Sequence, residues 1–109
     1  MADERRITTN SLKALKKAGA FAVKIHAGPN QNIGLPDICG CYKGYGFVIE
    51  MKAPGKENTL TDRQREKLEK YANAGGFAYV CTSVAECLNV LKQIDRTIRG
   101  KYAPRTGGW

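Results

Sequence analysis

A chain of 109 residues, 42% of them hydrophobic, has enough apolar material for one core and too little length for two domains. Eighteen lysines and arginines against ten acidic residues leave a formal charge of +8. That balance favours a polyanionic partner, because cations near phosphates release condensed counterions, although a merely soluble basic protein carries it equally well. No run of about 18 apolar residues spans a membrane. The opening Met1-Ala2-Asp3-Glu4-Arg5-Arg6 lacks the apolar stretch of an export signal, so a reducing cytoplasm is expected. There Cys39, Cys41, Cys81 and Cys87 stay thiols, and their spacing matches no common zinc pattern.

Residues 3 to 17 read as a helix, with Ile7, Leu12, Leu15 and Ala18 at helical intervals and Gly19 as the stop. Glu4 shares a stripe with Ile7, Ser11, Leu15 and Ala18, which leans its carboxylate toward the interior. It is equally well placed as a first-turn acid favoured by the helix dipole. Residues 20 to 26 then alternate Phe21, Val23 and Ile25 with Ala22, Lys24 and His26, the pattern of a strand with one apolar and one polar face. Lys24 and His26 are candidates to hold a phosphate if that polar face adjoins the next elements. A lone histidine more often serves only at the surface. Residues 27 to 35, AGPNQNIGL, form a Gly/Pro/Asn loop that either touches a ligand or simply connects.

The loop feeds Pro36-Asp37 and two β-rich runs, Ile38 to Tyr42 and Phe47 to Met51, separated by Lys43-Gly44-Tyr45-Gly46. This is a hairpin signal. Pairing Tyr42 with Phe47 sets Asp37 opposite Lys52 and Cys39 opposite Glu50. Asp37, Glu50 and Lys52 then share one face, while Phe47, Ile49 and Met51 take the apolar one. A slip of one residue would scatter the cluster. Two carboxylates beside an ammonium suit a hard divalent cation such as Mg²⁺. They also suit a solvated cross-strand ion pair, but both strands are otherwise apolar, and buried charges need a reason.

After a polar stretch over residues 53 to 60 that includes Lys56, Thr61-Asp62-Arg63-Gln64 forms a capping box, with Leu60 as staple and Gly75-Gly76 closing the helix. Gln64 has two destinations, back to the cap or inward on a stripe with Leu68, Tyr71 and Ala72. Arg63 lies on an outward face. Phe77 to Thr82 reads as a buried strand. Ser83 caps a last helix that buries Val84, Cys87, Leu88, Leu91, Ile94 and Ile98 and ends at Gly100. Residues 101 to 109, KYAPRTGGW, read as a basic, mobile tail appended to a single domain over 1–100.

The order α-β-β-β-α-β-α predicts an α/β fold, a mixed sheet flanked by helices. Pro36-Asp37 followed by Glu50-Met51-Lys52 resembles the signature of the PD-(D/E)xK nuclease superfamily. The wider string, Gly34-Leu35-Pro36-Asp37 through Ile49-Glu50-Met51-Lys52-Ala53-Pro54-Gly55-Lys56 to Gln64, is similar to its VRR-NUC (virus-type replication-repair nuclease) branch. The resemblance implies a restriction-endonuclease-like core and a Mg²⁺-dependent endodeoxyribonuclease, with Mn²⁺ as a substitute. It implies metal ligands at Asp37, Glu50 and the Met51 carbonyl, with Glu4 as an outer ligand. Lys52 and Gln64 complete the catalytic set; by charge and position rather than by the resemblance, Lys24, His26, Arg63 and Lys56 are the candidate DNA contacts, available to phosphates or only to water. Stand-alone members of this size occur in phages and look like homodimeric nucleases of four-way (Holliday) junctions, which gives branched DNA as the expected partner and the host cytoplasm as the place. A non-catalytic basic nucleic-acid-binding module, in which the three charges form an inert ion cluster, is the alternative reading. A small scaffold or regulatory subunit is a third.

Overall fold

A computed structural model describes residues 3–26 and 34–109; the Gly/Pro/Asn loop named above lies mostly outside the described residues. The Asp3 carboxylate accepts from the Arg5 N–H and opens α1 (Glu4–Lys17), which buries Thr8, Ser11 and Leu15. Five strands follow, interrupted by two helices: β1 (Phe21–Lys24), β2 (Ile38–Tyr42), β3 (Tyr45–Met51), α2 (Asp62–Asn73), β4 (Phe77–Cys81), α3 (Val84–Ile98) and β5 (Thr106–Gly107). A single 3₁₀ turn at Glu57–Thr59 precedes α2. The sheet order is β1-β2-β3-β4-β5, antiparallel from β1 to β3 and parallel from β3 to β5. The parallel pairs are those joined through a helix, as that geometry requires.

The hairpin register differs from the expectation. Tyr42 pairs with Tyr45 and Cys39 with Val48, because the turn is Lys43-Gly44 alone, with φ of 49° and 88°. Positive φ at both central residues is the type I′ turn whose twist matches the strands. The displacement is two residues, so the facing parity survives. Asp37, one residue before β2, falls level with Glu50 instead of Lys52, and Cys39 no longer faces Glu50.

Two apolar clusters sandwich the sheet. Ile38, Phe47, Ile49, Met51, Phe77 and Cys81 pack against Leu15 of α1 and Cys87, Val90, Leu91 and Ile94 of α3. Val48, Ala78 and Val80 pack against Leu68 and Tyr71 of α2. β4 lies under helices on both sides and is buried at all five positions. The α3 stripe ends earlier than its periodicity suggests, leaving Ile98 exposed.

β1 corrects a second expectation. Its apolar residues are the outward ones: Phe21 is 66% and Val23 38% exposed, whereas Ala22 is buried. They pair with Cys41 and Cys39, on the face that α2 covers only over β3 and β4. Alternation identified two faces correctly but not which one a helix would cover. Lys24 consequently pairs with Ile38 and stands on the side opposite Cys39 and Val48.

The terminal residues, read as a mobile tail, are laid against β4. The Ala78 N–H donates to the Arg105 carbonyl at 2.8 Å, the Tyr79 hydroxyl to the Pro104 carbonyl at 2.6 Å and the Trp109 indole N–H to the Ala78 carbonyl at 3.1 Å. The Arg105 guanidinium lies 4.4 Å from the Phe77 ring centroid. An edge strand as apolar as β4 would otherwise present unpaired backbone groups. Trp109→Ala should lower unfolding free energy by about 2 kcal/mol, less than for a fully buried indole, read as a lower midpoint in a urea melt. An unchanged midpoint would mean that the indole contributes nothing to the clamp.

Candidate active site

Among the described residues Glu50 is the one buried charged side chain, 4% exposed on the central strand. Its position follows from parity. Met51 and Ile49 enter the core of α1 and α3, so Glu50 turns to the other face, toward the start of α2. Asp37 approaches from the neighbouring strand. Its Oδ2 accepts from the Met51 N–H at 2.7 Å, which ties one carboxylate oxygen to the backbone and fixes the other. Beyond the end of β3 the Lys52 N–H still donates to the Cys81 carbonyl at 3.0 Å. That bond keeps Lys52 extended, so its side chain shares the Glu50 face. The Lys52 Nζ lies 3.7 Å from Glu50 Oε2 and the side chain is 12% exposed.

Gln64 fulfils both destinations foreseen for it. The Thr61 hydroxyl accepts from the Gln64 N–H at 3.1 Å while Gln64 Oε1 accepts from the Thr61 N–H at 3.0 Å, the reciprocal cap. The same Oε1 accepts from Lys52 Nζ at 3.0 Å, and Nε2 donates to Glu50 Oε2 at 3.1 Å. Cap and site are therefore one network, which the sequence reading had set against each other as alternatives.

The second oxygen, Glu50 Oε1, is buried and as a carboxylate oxygen finds no donor among the described residues. Burial, above all, drives the Glu50 pKa from its ordinary 4.5 to about 8; the Asp37 charge and a hydrogen bond between the two carboxyl groups add to the rise, as does Glu4 to a lesser extent. Lys52 pulls it down, but at 3.7 Å its attraction is outweighed. A buried acceptor without a donor and a carboxyl resisting ionisation are features that gather at functional sites. Among the described residues no three His, Cys, Asp or Glu side chains are already gathered as a ligand set. The oxygen donors the site offers are the carboxyl groups of Asp37 and Glu50, a hard type that Mg²⁺ accepts while retaining waters.

The remaining candidates stand farther out. Glu4 is exposed at the start of α1, and its charge is felt at Glu50 without a hydrogen bond between them among the described residues. It lines an open cleft of about 360 Å³ with Asp3, Arg5, Thr8 and Lys24, so Lys24 borders Glu4 across the sheet edge and not the face bearing Glu50. His26 lies beyond the end of β1 and is exposed, as are Lys56 and Arg63. One group of the network escaped sequence reasoning, the N–H of Met51, because a backbone donor leaves no residue-type signal.

No family model matches the chain, and no curated protein matches it. Among solved structures, a VRR_NUC domain is 24% identical, with 91% of this chain and 97% of that one covered, at a TM-score of 0.58. Hjc of Archaeoglobus fulgidus, a Holliday junction resolvase from an archaeal hyperthermophile, is 21% identical, with 72% of this chain and 67% of that one covered, at a TM-score of 0.51. The likeness is one of fold: the mixed sheet flanked by helices is the restriction-endonuclease-like core.

Proposed function

We propose that this chain, built on the fold of a VRR_NUC domain, is a divalent-metal-dependent DNA endonuclease selective for branched DNA, with four-way junctions the favoured substrate. The observation that carries the reading is Glu50, buried with one unsatisfied oxygen beside Asp37 and Lys52 on a basic chain of +8. Asp37, Glu50 and the Met51 carbonyl would hold Mg²⁺ or Mn²⁺. Such an ion, when bound, supplies Lewis acidity toward the scissile phosphate and a water of lowered pKa.

The protein's own groups do the rest. Asp37 keeps one oxygen on the Met51 N–H, so its carboxylate is oriented before anything binds. Lys52 presents an ammonium, steadied by Gln64, to charge that builds on the phosphate oxygens during attack. Glu4 supplies further negative charge at the rim. Arg63, Lys56, His26 and Lys24 offer phosphate contacts that read backbone position and not base sequence. Symmetric cutting of two strands calls for two sites on a two-fold axis, hence a homodimer. The fold shared with a junction resolvase supports the substrate; the oxygen donor set supports the metal.

A gel comparing four-way junction, flap, duplex and single-stranded DNA with Mg²⁺, Mn²⁺ and EDTA tests this, and junction cleavage abolished by EDTA is the expected result. Binding of junctions with no cutting in either metal would instead favour the non-catalytic binding module. Asp37→Asn should fold normally, because an amide oxygen still accepts from the Met51 N–H, while calorimetry shows Mg²⁺ affinity falling about tenfold or more. Unaltered affinity would strike Asp37 from the ligands.

A further inference from the structure

The amide of Gln64 faces Lys52 with its oxygen and Glu50 with its nitrogen, as a donor-only ammonium requires, but neither of those side chains fixes the point in space at which the amide oxygen sits. An ammonium carries three donors on a flexible stem and accommodates to its surroundings, and a carboxyl group turns. The Thr61 N–H is different. It is a single donor of fixed direction, set by a backbone at φ −79° and ψ 163°. Rotating the amide end for end would set its NH₂ against this N–H and against the Lys52 ammonium, and its oxygen against the Glu50 carboxyl.

We propose that Thr61 is a positioning residue for the Glu50–Lys52 pair, its backbone N–H pinning the Gln64 amide oxygen at the point where it meets Lys52. The inference rests on the endonuclease reading of the site and deepens it: the first turn of α2 orients the lysine. Gln64 Oε1 at 3.0 Å holds Lys52 Nζ back from Glu50, at 3.7 Å. Without that acceptor correctly presented, the ammonium closes onto the carboxylate and is withdrawn from a phosphate.

Two substitutions separate the N–H from the hydroxyl cap. Thr61→Ala removes only the hydroxyl. Thr61→Pro removes the N–H as well, and the site tolerates proline, since φ is already near −65° and Leu60 is extended, at ψ 123°. With Mg²⁺ and junction DNA, Thr61→Ala should keep kcat within about threefold, while Thr61→Pro loses a further tenfold or so in kcat at unchanged KM. The Gln64 side-chain amide resonances should move in Thr61→Pro and stay in place in Thr61→Ala. Equal kcat and unmoved resonances in the two variants would overturn the proposal. A wild-type protein that cuts no DNA removes the endonuclease reading, yet the resonances still decide the positioning. If Thr61→Pro does not fold, hydrogen exchange at the Thr61 amide decides it. Slow exchange in the wild type that becomes fast in Gln64→Leu supports the clamp, and fast exchange in the wild type refutes it.

Discussion

Glu50→Gln should make the metal-free protein more stable at pH 8 and eliminate cleavage together. In the folded state burial lifts the Glu50 carboxyl from 4.5 to about 8, so between those values the folded protein holds a proton that the unfolded chain has lost. Stability therefore falls as pH rises through this window. The contribution of the protonated carboxyl is complete below about pH 4.5 and gone above about pH 8. A rise of that size corresponds to roughly 5 kcal/mol at alkaline pH. An amide of the same shape carries no charge to bury, still accepts from Gln64 and has an NH₂ to offer Asp37. Thermal melts in EDTA should show the wild-type midpoint dropping from pH 5.5 to pH 8.5 and the variant nearly level. Excess Mg²⁺ should restore the wild type at pH 8.5 and leave the variant unmoved. A wild-type midpoint independent of pH would mean that Glu50 is ionised without strain, and the argument for a cation at this site would go with it.

Lys52→Ala should reduce kcat by a factor of roughly a hundred to a thousand, the range for removing one preorganised charge stabiliser, while the fold and Mg²⁺ binding persist. The side chain is largely buried but sits at the end of β3, where the backbone bond from the Lys52 N–H to the Cys81 carbonyl does not involve it. Gln64 Oε1 retains the Thr61 N–H as a donor, so no acceptor is orphaned. Loss of the ammonium leaves Glu50 with only influences that raise its pKa, and the variant should need a higher pH or more Mg²⁺ for half-saturation. Calorimetric Mg²⁺ titration alongside single-turnover cleavage makes the distinction. Full activity in Lys52→Ala would end its assignment, and loss of structure would show the ion pair to be a folding element.

The carboxylate face was legible because it depends only on parity. Asp37, Glu50 and Lys52 alternate with core residues at a period of two, and neither the true turn nor the two-residue displacement it caused could move them to the other side. The displacement itself was hidden in Lys43, a residue with a side chain sitting at φ 49°, where glycine or asparagine would have announced the type I′ turn. Helix starts were similarly local, since a Ser or Thr hydroxyl followed by Gln or Glu writes the cap into adjacent positions.

The described residues thus carry their own element types, caps and facing pattern in the chain order, because those follow from interactions within a few residues. Whether Phe21 or Ala22 would be covered, whether the last nine residues would wander or pair with β4, and whether Glu50 would ionise all waited on the packing. Each depends on which distant helix or strand arrives to exclude water, and that is a property of the assembled layers, invisible in any local stretch.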